Sequence, residues 1–469
     1  MGRRKKLKSF EKVLISDIAA EGKSVAKVDN LVIFVQKVVP GDVVDIQIIK
    51  KRRNYLEAIP TKFHQYSKDR QEPFCSHFGV CGGCKWQNLK YEQQLAYKQK
   101  QVIDAFERIG KIAIPQIIPI LPSPKTEFYR NKMGFTFTNN RWLTKEEIDS
   151  ETDGLIDRRG LGFHLPGRWD KILDIDKCFL QRDPSNQLRD KIKDYGIFNN
   201  LHFFDLRDQT GFLRLITIRI ANTNDVMLIV QFFENRVDEI RSFMEFIKEK
   251  FPEVTSLNYV INPKGNDTIY DLEVVNYHGQ PYIVEEMEGL YFRVGPKSFF
   301  QTNSTQAYNL YSIVRDFVDT SKDDVLYDLY TGTGTIALFM SRSVKEVVGI
   351  ESVSGAIDDA RVNARINNIQ NAQFYVGDMK NCLNDAFLNQ NPHPDIIITD
   401  PPRTGMHPDV CEMLLKIECP KIVYVSCNPA TQSRDIAILS KKYQVEKIQP
   451  VDMFPHTTHV ENIALLKLK

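Results

Sequence analysis

The period of the apolar positions changes twice along the chain. The runs VLISDIAAEGKSVAKV, LVIFVQKVVPGDVVDIQIIKKRR and YLEAIPTKF, within residues 1–63, are rich in β-branched residues and alternate in part. They predict short strands broken at Gly22 and at Pro40-Gly41. Several short strands in so little chain predict a small OB-type β-barrel. Residues 64–285 mix the two periods. YEQQLAYKQKQVIDAFERIG and VDEIRSFMEFIKEKF read as helices. NKMGFTFTN, LGFHLPG, GFLRLITIRIAN, DVMLIVQFF and SLNYVIN read as strands, which together predict a mostly antiparallel α+β unit. Residues 286–469 alternate: strand VLYDLY, helix TIALFMSRS, strand EVVGIES, helix SGAIDDARVNARINN, then strands AQFYVGD, DIIITD, KIVYVSC and ENIALLKLK. That alternation predicts a doubly wound, Rossmann-like α/β sheet with ligands at the C-terminal ends of its strands.

Composition narrows the class. Hydrophobic residues make up 42% of the 469 and charged residues 26%, as in soluble globular proteins. No apolar run approaches the roughly 18 residues a membrane span needs. The basic stretch MGRRKKLKSFEK has no apolar stretch after it and does not read as a secretory signal. The expectation is a cytoplasmic protein without a membrane partner. Net charge is only +2, so any nucleic-acid contact rests on local patches. Two stand out in the barrel segment, Arg3 to Lys8 and Lys50, Lys51, Arg52 and Arg53.

The first strand of the α/β segment runs into Asp328-Leu-Tyr-Thr-Gly332-Thr-Gly334-Thr. Glycines there let a ligand approach the backbone before the helix begins. Glu351 ends the next strand, where a carboxylate can hold both ribose hydroxyls of a nucleoside, and Asp378 ends the third. Position 337 is Ala, so the third glycine of a dinucleotide fingerprint is missing. A nucleoside without pyrophosphate fits better, and S-adenosylmethionine is the leading one. Asp400-Pro401-Pro402-Arg403 follows a later strand, its prolines making a rigid shelf for an aromatic base. Ser426-Cys427-Asn428-Pro429 ends the strand after that, placing a thiol at the same edge. Glu461, in HTTHVEN before the last strand, is a candidate general base.

The eight cysteines are unevenly spread. Cys75, Cys81 and Cys84 crowd into ten residues, and Cys178 is available as a distant fourth. Four thiolates suit zinc or an iron–sulfur cluster, and the spacing does not choose between them.

Gln301 in SFFQTN, the DLYTGTG turn, DPPRTG, VSCNP and HTTHVE occur in this order. Together they resemble the RNA uracil-5-methyltransferase family. The first segment looks like the small RNA-binding barrel called the TRAM domain, so the resemblance covers nearly the whole chain. It implies methyl transfer from S-adenosylmethionine to C5 of a uridine, with Cys427 adding to C6 and Glu461 removing the C5 proton. It also implies that Gln301, Tyr330, Glu351 and Asp400 line the cofactor and base pocket, with Asp378 a weaker contact. Asp378 and Thr335 stand where some relatives have Asn. Members with this cysteine pattern carry a [4Fe-4S] cluster, which here falls to Cys75, Cys81, Cys84 and Cys178. The cysteine set and the barrel point to 23S ribosomal RNA as partner, with transfer RNA the alternative. A monomer is expected. Two other classes compete. A cluster-dependent redox or radical enzyme would leave the Cys427–Glu461 pair without a role. A non-catalytic RNA-binding module would make VSCNP and HVEN accidental.

Overall fold

The computed structural model describes residues 8–19, 22–149 and 156–469. Most of the basic stretch Arg3 to Lys8 lies outside the described residues. Six strands form the N-terminal barrel, from Ser9–Leu14 to Leu56–Gln65. Val43–Lys51 shows the alternation that closes it: Val44, Ile46 and Ile48 are buried with Ile33, Val35 and Ala58, while Lys50, Lys51, Arg52 and Arg53 stay exposed.

The central unit is a seven-stranded sheet. Its spatial order is Arg168–Asp174, Gly160–Leu165, Lys132–Thr138, Leu213–Ile220, Val226–Phe232, Val254–Ile261 and Val275–Gly279. Only the pair Val226–Phe232 and Val254–Ile261 is parallel, because the helix Val237–Lys250 makes the crossover between them. That helix buries Ile240, Phe243, Met244 and Ile247, spaced three and four apart, against the sheet.

The C-terminal sheet has eight strands. Their order is Ala372–Val376, Glu346–Glu351, Val325–Leu329, Ile396–Thr399, Lys421–Ser426, Glu461–Leu468, Tyr443–Val451 and Gln116–Ile117. The chain order reverses beside Val325–Leu329, which is where an open α/β sheet leaves its ligand crevice. Glu461–Leu468 runs antiparallel between two neighbours, so the sheet is not wound throughout in the simple alternating manner. The strand Tyr443–Val451 and the helices Ser304–Val318, Pro408–Ile417 and Pro429–Leu439 complete this unit beyond the elements expected from the sequence. Cap chemistry marks two of the helices: Asn303 accepts from the Gln306 amide, and Asn428 from the Ala430 amide ahead of Pro429.

Residues 91–121 sit with this sheet, although they precede the central unit in sequence. The helix Tyr91–Ala105 and the turn after it bury Val102 and Phe106 in the same core as Tyr424, Ile436 and Ile448. Gln116–Ile117 extends the sheet edge. Polar contacts tie this helix to the segment before the last strand. Lys98 Nζ lies 2.5 Å from Asp452 Oδ1, and both side chains are 0% exposed. Tyr91 Oη also donates to Asp452. No helix among the described residues is long and apolar enough to cross a membrane.

Removing one partner of a buried ion pair strands the other charge, at about 3–5 kcal/mol. Lys98→Ala should therefore destabilise the protein by about that amount in urea unfolding. Lys441→Ala, which removes an exposed pair with Glu412, should cost less than about 1 kcal/mol. Equal losses in the two variants would contradict the anchoring role of Lys98.

Candidate active site

The crevice is built at the C-terminal ends of four neighbouring strands. Val325–Leu329 delivers Asp328 and then Tyr330, which adopts a left-handed backbone (φ 66°) unusual for a bulky residue. A Cβ on Gly332 would meet nothing within 4 Å, so the turn is open on that side. At Gly334 a Cβ would come within 2.9 Å of Ala360, so that glycine serves close helix packing. The Gly332 amide donates to Glu351 at 3.2 Å and brings that carboxylate against the turn. Asp328 is buried. Its Oδ2 accepts from Thr331 Oγ1 and the Ala337 amide, while its Oδ1 has no protein partner. An orphaned buried carboxylate oxygen beside an open glycine fits a polar ligand at this turn.

The next two strands bring the reactive groups. Asp400 follows Ile396–Thr399, and its amide bonds the Leu329 carbonyl. Cys427 follows Lys421–Ser426. Ser426 pairs with Asn462 in the antiparallel register, so Cys427 and Glu461 face each other across adjacent strands. Their charges interact. Burial pushes Glu461 up to about 8, with Asp400 adding to the rise and Arg403 opposing it. Burial also pushes the Cys427 thiol up to about 11, with Glu461 and Asp400 adding, while the Arg403 side chain bonds the thiol and pulls it down. Asp328 and Asp400 are each raised to about 7, mainly by burial.

Gln301 is half-buried, and its carbonyl accepts from Asn131 Nδ2 at 2.9 Å. Asp378 is exposed. It caps the short helix Met379–Cys382 through the Lys380 amide, yet its charge still reaches the Tyr330 phenol.

The model for the tRNA (uracil-5-)-methyltransferase family matches residues 214–469, and the TRAM domain model matches residues 5–61. The chain belongs to the tRNA (uracil-5-)-methyltransferase family. It is an S-adenosylmethionine-dependent RNA methyltransferase with an N-terminal TRAM domain. It is 56% identical to an uncharacterized RNA methyltransferase of Bacteroides thetaiotaomicron, over 96% of this chain and all of the relative. It is 39% identical to another from Chlorobaculum tepidum, over 91% of this chain and 89% of that one. The Pyrococcus abyssi tRNA (uracil-54, C5)-methyltransferase, solved with S-adenosyl-L-homocysteine, superposes with a TM-score of 0.74. It is 27% identical, over 97% of this chain and all of its own.

The methyltransferase's four clustered cysteines lie outside this crevice. Cys75, Cys81, Cys84 and Cys178 line one cavity of about 520 Å³, which also reaches His459. Among the described residues no group of three or more His, Cys, Asp or Glu is arranged to hold a metal ion as it stands. The donor set is nonetheless four sulfurs without a carboxylate. The Gly83 amide donates to Cys81 Sγ at 3.4 Å, and a Cβ on Gly82 would strike the His164 carbonyl at 2.7 Å. Burial holds Cys84 up at about 12 and Cys178 at about 11, with the other cluster thiols adding to each rise.

Two side chains of this site were present only as letters within the motifs. Asp328 opens DLYTGTG and Arg403 closes DPPR, but only the folded chain puts the first under the turn and the second beside Cys427. A third, Asn131, carries no motif signal at all. Thr335 bonds the buried Tyr311 hydroxyl at 3.3 Å.

The raised carboxyls predict a pH dependence. Each is neutral below its raised value and ionises as pH climbs through about 7 to 8. A sulfonium cation gains attraction only from the ionised forms. The ratio of S-adenosylmethionine to S-adenosylhomocysteine affinity, measured by calorimetry, should rise from pH 6 to pH 8.5. A flat or falling ratio would contradict the electrostatic reading.

Proposed function

We propose that the enzyme methylates C5 of a specific uridine in 23S ribosomal RNA through a covalent Cys427–C6 adduct, with Glu461 as the base. The observation that carries this reading is the juxtaposition of Cys427 and Glu461 across two antiparallel strands, beside the cofactor turn. Uracil C5 is too weak a nucleophile to take a methyl group unaided. Cys427 Sγ bonds to C6, and the C5–C6 π pair moves onto the C4 carbonyl as an enolate. C5 then attacks the methyl group as the S–CH₃ bond breaks, which releases neutral S-adenosylhomocysteine. Glu461 takes the C5 proton, the pair left behind restores C5=C6, and Cys427 leaves as a thiolate. A base raised to about 8 suits this task, since it holds a proton firmly without being inert near neutral pH. Arg403 favours the thiolate that the neighbouring carboxylates disfavour. Gln301, Tyr330, Glu351 and Asp400 hold the cofactor and the base. Asp378 contributes a peripheral cofactor contact.

Cys75, Cys81, Cys84 and Cys178 would hold a [4Fe-4S] cluster, which supplies a rigid cross-link between the residue 75–84 loop and the central unit. Methyl transfer moves no electrons, so the role is structural or RNA-positioning. Four sulfurs suit zinc as well, and the choice of a cluster rests on the resemblance of the cysteine pattern.

The two catalytic residues fail differently. Cys427→Ala should give no transfer and no adduct while still binding S-adenosylmethionine. Glu461→Gln should still add and methylate, then stall before elimination, because loss of a general base costs about 10²–10⁴ in rate. Denaturing electrophoresis with labelled RNA should show a shifted band for Glu461→Gln and none for Cys427→Ala. Near-normal turnover by Cys427→Ala would end the covalent mechanism.

Protein purified without oxygen should be brown and contain iron and sulfide. Colourless protein with stoichiometric zinc would overturn the cluster and leave the methyltransferase standing.

A further inference from the structure

The segment that leads from the barrel to the cysteine loop carries an aromatic stack just beyond the residues matched by the TRAM model. Phe63 packs on the barrel core. The Tyr66 ring stacks on Phe63, with centroids 5.0 Å apart and planes 24° apart, and Tyr66 is 65% exposed. The Arg70 guanidinium lies 5.2 Å from the Phe63 ring and 5.3 Å from the Tyr66 ring. It is held in place by buried Asp42. Arg70 Nε donates to Asp42 Oδ1 and Nη2 to Oδ2, both at 2.8 Å. Asp42 also accepts from the Val39 and Ser67 amides, so it fixes the turn that carries Tyr66.

A surface tyrosine normally keeps its rotamer freedom. Here two groups hold it, Phe63 and Arg70, and the entropy cost of ordering it is met in the free protein. The stack is anchored from below and from the side, and the exposed ring still presents apolar, polarisable surface to solvent. The flanking sequence carries both signs, with Asp69 between Lys68 and Arg70. Lys62 and Lys68 flank it in sequence, and the Lys37 carbonyl accepts from Arg70 Nη2. Lys37, Lys62 and Lys68 make no ion pair among the described residues, and the carboxylate of Asp42 is already neutralised by Arg70. A flat aromatic face backed by a guanidinium, with unpaired lysines in the adjoining chain, is complementary to an unpaired nucleobase with its phosphates.

We propose that Tyr66, supported by Phe63 and Arg70, is a stacking site for one unpaired base of the substrate RNA, remote from the methylated uridine. This rests on the RNA-methylating reading above. It assigns a role to the connector that neither the barrel nor the catalytic sheet supplies. Stacking tolerates any base, because each base has a π face, so the site adds affinity and grip rather than sequence choice.

The full-length enzyme tests this with two probes, a single-stranded oligouridylate for binding and an unmodified large-subunit ribosomal RNA transcript for methylation. Tyr66→Ala should weaken binding of the oligonucleotide by roughly 5- to 100-fold. S-adenosylmethionine affinity and the melting temperature should hold. The slope of log Kd against log salt should hold as well, because no phosphate contact is lost. Tyr66→Trp should restore binding, and Tyr66→Leu, which keeps apolar bulk without a π face, should not. Lys62→Ala with Lys68→Ala should do the opposite and flatten the salt slope. Wild-type binding by Tyr66→Ala or full rescue by Tyr66→Leu overturns the site, the latter pointing to an apolar protein contact instead. If the wild-type enzyme methylates uridine in the transcript while Tyr66→Ala binds normally, the stacking site fails and the functional reading survives. If the wild-type enzyme methylates no uridine in any RNA, the functional reading itself fails.

Discussion

Backbone hydrogen bonds between Lys421–Ser426 and the last strand, Glu461–Leu468, fix where Cys427 sits relative to Glu461. The side-chain period of a strand is two, so a slip of one residue in that antiparallel register would turn Glu461 away from Cys427. The register is held from both sides, since Glu461 also pairs with Val451 of the outer neighbour. The segment that carries the chain into this strand is held just as firmly. The Asp452 and Met453 carbonyls accept from Gln306 and Asn303, at the start of the helix Ser304–Val318. The Phe454 carbonyl accepts from Lys98, and the Pro455 carbonyl from Tyr129. The His456 carbonyl accepts from the Lys85 and Trp86 amides, next to Cys84. A loop bonded by the cysteine loop, the central unit and two helices has little freedom, and its end is the proposed base.

The same crevice gathers three buried carboxyls, Asp328, Asp400 and Glu461, with Arg403 as the cation beside Glu461 and Cys427. Burying them together is unfavourable in the free protein, and each responds by binding its proton more tightly. A positively charged cosubstrate that becomes neutral on giving up its methyl group suits such a site. The charge that attracts it disappears in the reaction, so ionised carboxyls there would favour the fresh form over the spent one.

Much of this was legible in the sequence, and the limits have physical causes. Short-range signals survived: the alternation of Val43–Lys51, the helical spacing of Val237–Lys250, and the strands that carry Asp328 and Glu351 or lead into Asp400 and Cys427. Tertiary pairing did not. Nothing local in ENIALLKLK says that it runs antiparallel between two strands, or that Gln116–Ile117 joins the same sheet. The helix Tyr91–Ala105 was visible as a helix, but its docking depends on Lys98 finding Asp452 some 350 residues later. Arg403 and Asn131 act through partners distant in sequence, so pattern alone could not single them out. The aromatic connector escaped for the same reason, because Phe63, Tyr66 and Arg70 become one unit only when Asp42 closes the turn.

The most direct test of the central claim uses RNA in which the target uridine is replaced by 5-fluorouridine. Fluorine at C5 cannot leave as a proton, so a base has nothing to remove and the cycle stops after methyl transfer. Wild-type enzyme and S-adenosylmethionine should give a stable adduct. After digestion of protein and RNA, mass spectrometry should find a methylated 5-fluorouridine nucleotide on the peptide containing Cys427. An adduct on another residue, or methylated RNA released without any adduct, would contradict the mechanism.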